Sequence, residues 1–265
     1  MNIAIPGILA ALLYLLTTAL LARNLMRGAD ARGQRGLILP IAIAWLLHGF
    51  VLYQLVVSQW ITLGFFHALS ASSWLLVSIV LFARGGRTLD PIGIVVYPIA
   101  SLTLLLELRF PASIKTHAAS AALDTHILFS MLAYSLLGIA ALLALLLLIQ
   151  DRQLRNKHPG GFMRALPPLA QVETLMFRVL RLGFLLLSIA LITGFIFLED
   201  LFAQHLAHKT VFSLLSWLLF ASLLWGHLRH GWRGRHAVRW LLGGYVALLI
   251  GYFGSKFVLE VLLTQ

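Results

Sequence analysis

"GLILPIAIAWLLHGFVLYQLVVSQWITLGFFHALSASSWLLVSIVLFA", residues 36–83, runs for 48 positions without a charged side chain. One helix crossing a hydrocarbon core of about 30 Å needs about 20 apolar residues. The stretch is too long for one crossing and the right length for two, joined by a tight hairpin near Ser58 to Gly64. A surface helix of a soluble protein keeps a polar face for water, and these two have none. Lipid is therefore the main solvent of the chain.

Working outward, Ile3 to Ala22 reads as a retained first span rather than a cleaved leader, since it lacks a basic n-region and an obvious small-residue cleavage site. Pro91 to Glu107 is shorter and contains Pro98, which should kink the helix unless a neighbour satisfies the freed carbonyl. Ile127 to Gln150, Leu182 to Leu198, Val211 to Leu228 and Trp240 to Leu259 complete the set. The expected fold is all-α: a polytopic bundle of eight transmembrane helices forming one integral membrane domain over residues 1–265. Composition agrees, with 60% hydrophobic and 11% charged residues where a soluble domain has roughly a quarter charged.

The charge pattern orients the bundle. Of the 20 Lys and Arg residues, 16 fall in the loops near residues 23–35, 84–90, 150–181 and 229–239, all on one side if eight spans start from outside. The positive-inside rule then puts both termini outside and the basic loops in the cytoplasm, as in a multi-pass protein of the bacterial inner membrane. Nucleic acid is not an expected partner, because its binding needs the basic residues gathered on one soluble face. Membrane lipids are, and the basic loops also offer a docking surface to a membrane or cytoplasmic protein. The longest loop, Asp151 to Arg181, contains HPGG at His158 to Gly161 and the Pro167–Pro168 pair. After it, "LAQVETLMFRVLRLG" alternates at helical spacing and is expected to lie along the inner membrane surface before turning in. Gly243 and Gly244 are expected to allow close helix packing.

With no cysteine in the chain, disulfides, thiolate metal sites, thioether capture of haem and CxxC redox chemistry are all excluded. No Ser-His-Asp order, HExxH or EF-hand pattern is present, and the only acidic residues inside spans, Glu107 and Glu260, lie near outer ends. The chain reads as a non-enzyme, and not as a transporter of ordinary ions.

Ten histidines beside nine carboxylates are the unusual feature. His48 falls midway along the second span, His67 in the outer part of the third, His126 at the outer entrance of the fifth and His227 near the inner end of the seventh. A neutral imidazole is a good axial ligand for haem iron, and intramembrane ionisable groups are functional candidates. A lone histidine in a bundle is also a common hydrogen-bonded packing residue, the simpler reading for His67 and an even alternative for His48. His158, His205, His208, His230 and His236 read as loop or headgroup residues. His126 and His227 lie at opposite depths, roughly 20–30 Å apart at about 1.5 Å per residue, so one iron cannot take both. His117, nine residues before His126, offers a second outer ligand.

"LDTHILFSMLAYSLLGIAALLALLLL", from Leu123, and "HLRHGWRGRHAVRWLLGGYVALLIGYFGSKFVL", from His227, together resemble the second half of the cytochrome c assembly membrane proteins, the CcsA, CcmC and HemX-like family. The resemblance covers roughly Leu123 to Leu259, and the first four spans agree in layout. It implies a haem-handling membrane protein, with haem b as cofactor or cargo and with His126 and His227 inheriting the family's ligand positions. The family's tryptophan-rich WWD segment is not matched: Phe197 to Phe220 contains one tryptophan, Trp217, and the sequence after "YFGS" has no histidine. HemX-like members are associated with regulation of early tetrapyrrole synthesis, so the resemblance also implies the alternative of a non-enzymatic regulatory or partner protein.

Overall fold

The computed structural model describes residues 3–27, 36–59, 64–82, 89–110, 121–156, 166–197 and 204–254. Eight α-helices cover them: α1 (Ala4–Met26), α2 (Ile38–Gln59), α3 (Phe65–Phe82), α4 (Asp90–Arg109), α5 (Ala121–Arg155), α6 (Leu169–Phe197), α7 (Gln204–His230) and α8 (Gly234–Leu249), the last continuing into a π turn at Ile250–Gly254. There is no strand among the described residues. All eight are long and apolar enough to cross a membrane.

The helices outrun the spans read from hydropathy, because an apolar window measures only the lipid-crossing part. Gln, Arg and Lys are good helix formers that carry the helix on into the headgroups. One expectation is corrected. The stretch after Pro168 does not turn before entering the membrane; Leu169–Phe197 is a single helix. Among its buried positions, Val172, Met176, Leu180, Gly183, Leu187, Ala190 and Gly194 form one stripe at a spacing of three or four that runs on through Arg181 and Leu182, with Phe177 and Val179 buried beside it, so no change of face forces a bend. Similarly, α4 continues through Pro98 and is among the most buried of the eight.

The chain divides into two compact units, one formed by Met1–Ala118 with Gln153–Pro168 and the other by Ala119–Arg152 with Leu169–Gln265. In the first, α1 packs on α2 and α4, and α3 on α2 and α4, so the four helices form a closed ring. The α1 stripe Gly7, Ala10, Ala11, Tyr14, Thr17, Leu21 and Leu25 is buried, while Ile8, Leu12 and Leu16 are exposed. Small residues line the helix contacts because lipid is as apolar as leucine, and close backbone approach is what holds helices together there. Tyr14, fully buried, stacks on Tyr97, and Ser101 donates to the Ala11 carbonyl across the α1–α4 contact.

In the second unit, α7 packs on α6 and α8, and the π turn on α7 and α8. Ser216 donates to the Gly244 carbonyl at 2.8 Å, Tyr134 to the Leu248 carbonyl at 3.1 Å and the Trp217 indole to Ser188 at 2.9 Å. Gly244 takes part in close packing, its Cα facing the Phe220 ring, whereas a side chain at Gly243 would meet nothing within 4 Å. Only the second of the two adjacent glycines serves the contact.

Candidate haem-binding histidines

Two of the four candidate histidines are held against the same helix, α6, toward its opposite ends. His227, one turn before the end of α7, stacks on Phe177, with ring centroids 3.7 Å apart and planes 17° from parallel. His126, in the second turn of α5, bonds Thr193 and lies over Gly194. Phe177 and Thr193 are 16 residues apart on α6, about 24 Å along its axis at 1.5 Å per residue.

The loop "GWRG", Gly231 to Gly234, exists in this form to hold His227. Gly231 has φ +66° and Gly234 φ +56°, left-handed conformations that cost an L side chain about 1–2 kcal/mol. The first turns the chain back on α7, so that the Trp232 amide donates to the Gly226 carbonyl and the Trp232 carbonyl comes 2.8 Å from His227 Nδ1. The second opens α8, its amide donating to the Glu173 carboxylate at 2.8 Å. Trp232 rests on Gly226, where a Cβ would meet three ring atoms at 2.4–2.8 Å. Gly226→Ala is accordingly expected to displace the indole and destabilise the fold by about 1–3 kcal/mol, the usual cost of overpacking. Thermal unfolding in detergent measures it, with Gly243→Ala as the control that should be neutral or mildly stabilising, since Ala is the better helix former.

The partner of His227 fixes its tautomer, and those of His126 favour the same one. A carbonyl only accepts, so His227 Nδ1 must carry the proton it gives to Trp232. At His126, the Thr193 hydroxyl directs its single proton to the Ile189 and Ala190 carbonyls at 2.9 and 3.0 Å. With that proton so placed, its oxygen is free to accept from His126 Nδ1–H at 3.2 Å, and the Ala190 carbonyl is a second acceptor for the ring. In the Nδ1–H tautomer of either ring the lone pair is on Nε2, which no described residue meets with a donor. Both histidines are half-buried, so each ring is fixed without being sealed. A metal-ligating imidazole needs this preparation: one nitrogen tied to an acceptor, the other offered.

His48 is different. It is fully buried, with Nε2 2.9 Å from Ser70 Oγ and Nδ1 3.5 Å from the Tyr14 hydroxyl, so both nitrogens face side chains of its own unit. His117 lies outside the described residues, as does His158. His230 and His236 are exposed among Trp225, Trp232 and Trp240. His67, read from sequence as a hydrogen-bonded packing residue, is buried and bonds Glu107: Nδ1 lies 2.6 Å from Oε1, and Glu107 Oε2 has no hydrogen-bond partner among the described residues. Among the described residues no three His, Cys, Asp or Glu side chains come together to hold a metal ion.

Sequence reading missed the residues behind the histidines, namely Phe177, Thr193, Gly194 and the Trp232 carbonyl. One cue was available: Thr193 and Gly194 interrupt an otherwise Leu- and Ile-rich helix end.

The profile of the Cytochrome C assembly protein family matches residues 37–263. The chain is 37% identical to inner membrane protein YpjD of Escherichia coli strain K12 over 187 residues, 70% of each chain. It is 36% identical to an uncharacterized 28.8 kDa protein of Azospirillum brasilense over 143 residues, 53% of each, and 26% identical to cytochrome c biogenesis protein CcsA of Synechococcus sp. strain CC9902 over 187 residues, 62% of each. No solved structure matches it. With the family profile extending over most of the chain, from α2 through the loop that holds His227 to beyond the last helix, the protein belongs to the cytochrome c assembly protein family.

Proposed function

We propose that this protein is a non-enzymatic, haem-handling protein of the bacterial inner membrane that offers haem one imidazole near each membrane surface, His126 outside and His227 inside. The observation that carries the reading is the shared anchoring of those two rings through Nδ1, His227 on the Trp232 carbonyl and His126 on the Thr193 hydroxyl, toward opposite ends of α6. The residues fit the group. Where the described residues form no three-ligand cluster, a porphyrin brings iron its equatorial donors and needs only axial nitrogen from the protein. Haem bound here is held without thioether links, since the chain has no cysteine, and haem b is the form proposed. Bound haem supplies an iron centre to be carried or presented. The chain's part is to ligate it, fix the imidazole planes and keep the porphyrin in an apolar setting.

The orientation rests on the charge bias, which puts the His227 end with the basic loops in the cytoplasm and both termini outside. His117 is a candidate partner to His126 at the outer site, and His48 is assigned to packing, since ligation there would break a hydrogen bond already made. The relatives' names agree with the membrane and the process: one is called an inner membrane protein and another a cytochrome c biogenesis protein.

The test is a hemin titration of the protein in mild detergent, followed by a pyridine haemochromogen spectrum. The expected result is a Soret band with b-type haem, its stoichiometry reduced in His126→Ala and in His227→Ala and reduced further in the double variant. A spectrum without a Soret band, or one unchanged in all three variants, overturns the proposal. In that event the HemX-like regulator becomes the reading, favoured by the single tryptophan of Phe197 to Phe220. Its partner should then be recovered by crosslinking from the loop between α5 and α6.

A further inference from the structure

We propose that His67 is a third axial ligand for a metalloporphyrin, held for that purpose by Glu107, in the first unit where α3 begins and α4 ends. The inference takes from the preceding reading only the identity of the macrocycle as haem.

The pair is not explained by stability. Two buried ionisable groups cost more to desolvate than a well-packed apolar pair, and replacing such a pair by apolar residues is often neutral or stabilising. Nor is it a fully satisfied polar contact among the described residues, because Glu107 is 3% exposed and none of them bonds its Oε2. A carboxylate serving the core would use both oxygens; this one is aligned on a single imidazole nitrogen at 2.6 Å.

His48, in the same unit, shows what a packing histidine looks like here. It is 0% exposed and both nitrogens are engaged. His67 retains 9% of its surface, and no described residue bonds its Nε2. A carboxylate behind Nδ1 with Nε2 left over is the outer-shell arrangement that orients metal-ligating histidines and strengthens them as donors.

Among the described residues nothing here closes the shell of a bare ion, since one histidine and one carboxylate already turned to it leave the other positions empty. A metal that arrives in a porphyrin needs only this nitrogen. The surroundings suit a flat macrocycle with an anionic edge. Phe65 and Phe66 precede His67, Phe66 stacks on Phe110 with centroids 5.2 Å apart, and the exposed Arg109 places its guanidinium 5.1 Å from the Phe110 ring. The aromatic side chains would give the macrocycle an apolar setting, and the arginine would supply a cation for a propionate.

Two roles follow. His67 ligates iron; Glu107 is a positioning residue that gives the imidazole anionic character and lowers the iron's reduction potential. The experiment is hemin titration and redox potentiometry of the full chain in detergent. His126→Ala/His227→Ala is expected to keep one hemin, and adding His67→Gln, which preserves a donor to Glu107, should remove it. In the His126→Ala/His227→Ala background, Glu107→Gln should lower hemin affinity by about 10–100-fold and raise the midpoint potential of the hemin that remains. A purely structural pair would leave that potential unmoved. If wild-type protein binds hemin and the double variant binds none, the His67 site is overturned while His126 and His227 stand. Unchanged binding in the triple variant, or an unchanged potential in Glu107→Gln, overturns it too. If wild type binds no hemin, both readings fall together.

Discussion

His67→Leu is expected to lose about 3–5 kcal/mol of global stability, the cost of leaving one member of a buried pair without its partner. The pair is buried on both sides, and Glu107 would keep two oxygens with nothing to bond, having already one orphan in the native fold. Lipid makes the loss harder to absorb, since no water reaches a carboxylate packed between helices of the bundle. His67→Leu/Glu107→Leu should recover most of it, because two leucines extend the apolar packing of α3 on α4 and leave no polar group behind. Unfolding of the helical circular dichroism signal in mixed micelles, taken through both single variants and the double, gives the coupling energy directly. A loss under about 1 kcal/mol in His67→Leu would show that Glu107 finds another partner and that the pair is looser than its 2.6 Å contact indicates. Recovery in the double variant would show that the pair is kept at some cost to stability, which is the condition the ligand role of His67 requires.

Much of this architecture is legible in the residues alone, for a physical reason. Lipid demands that every backbone polar group be satisfied within the helix, so length and apolar composition set the eight helices and leave few alternatives. The same signal is blind to where a helix ends in the headgroups, which is why α5 runs from Ala121 to Arg155 where hydropathy marks Ile127 to Gln150. It is blind to face as well. The periodicity of "LAQVETLMFRVLRLG" is enough to show an amphipathic helix, but only its phase relative to the next turns, from Leu180 through Gly183 to Leu187, goes with its continuing as one helix.

Candidate histidines could be named from depth, whereas their partners could not. Trp232 acts on His227 through its backbone carbonyl, and no side-chain identity signals that. The structure explains instead why a glycine stands at 231: the carbonyl can reach the ring only if the chain passes through a left-handed residue. His67 and Glu107 are 40 residues apart on separate helices, and neither carries a local motif. The pairing comes from the ring of four helices, which sequence leaves open.

Thr193→Val is expected to weaken hemin binding at His126 by about 10–100-fold while leaving the fold intact. The hydroxyl's other bonds go to the Ile189 and Ala190 carbonyls of its own helix, and a serine or threonine bonded back in this way adds little to helix stability. Valine keeps the shape and removes the acceptor. His126 then loses the side-chain acceptor facing Nδ1 and keeps only the Ala190 carbonyl, and the tautomer with Nε2 protonated, unable to ligate through that nitrogen, gains population. Thr193→Ser restores the oxygen and should restore affinity. Titration in a His227→Ala/His67→Gln background isolates the site, and the unfolding midpoint of the same samples separates a lost hydrogen bond from a lost fold. Equal affinity in Val and Ser would mean that the threonine does not set the ring. Gly194 offers an independent route to the same ring, since a Cβ there would come within 3.0 Å of His126 Cε1. Gly194→Ala should therefore tilt the imidazole with Thr193 still in place, and weaker binding in that variant as well would identify ring orientation, rather than the hydroxyl alone, as what the end of α6 supplies.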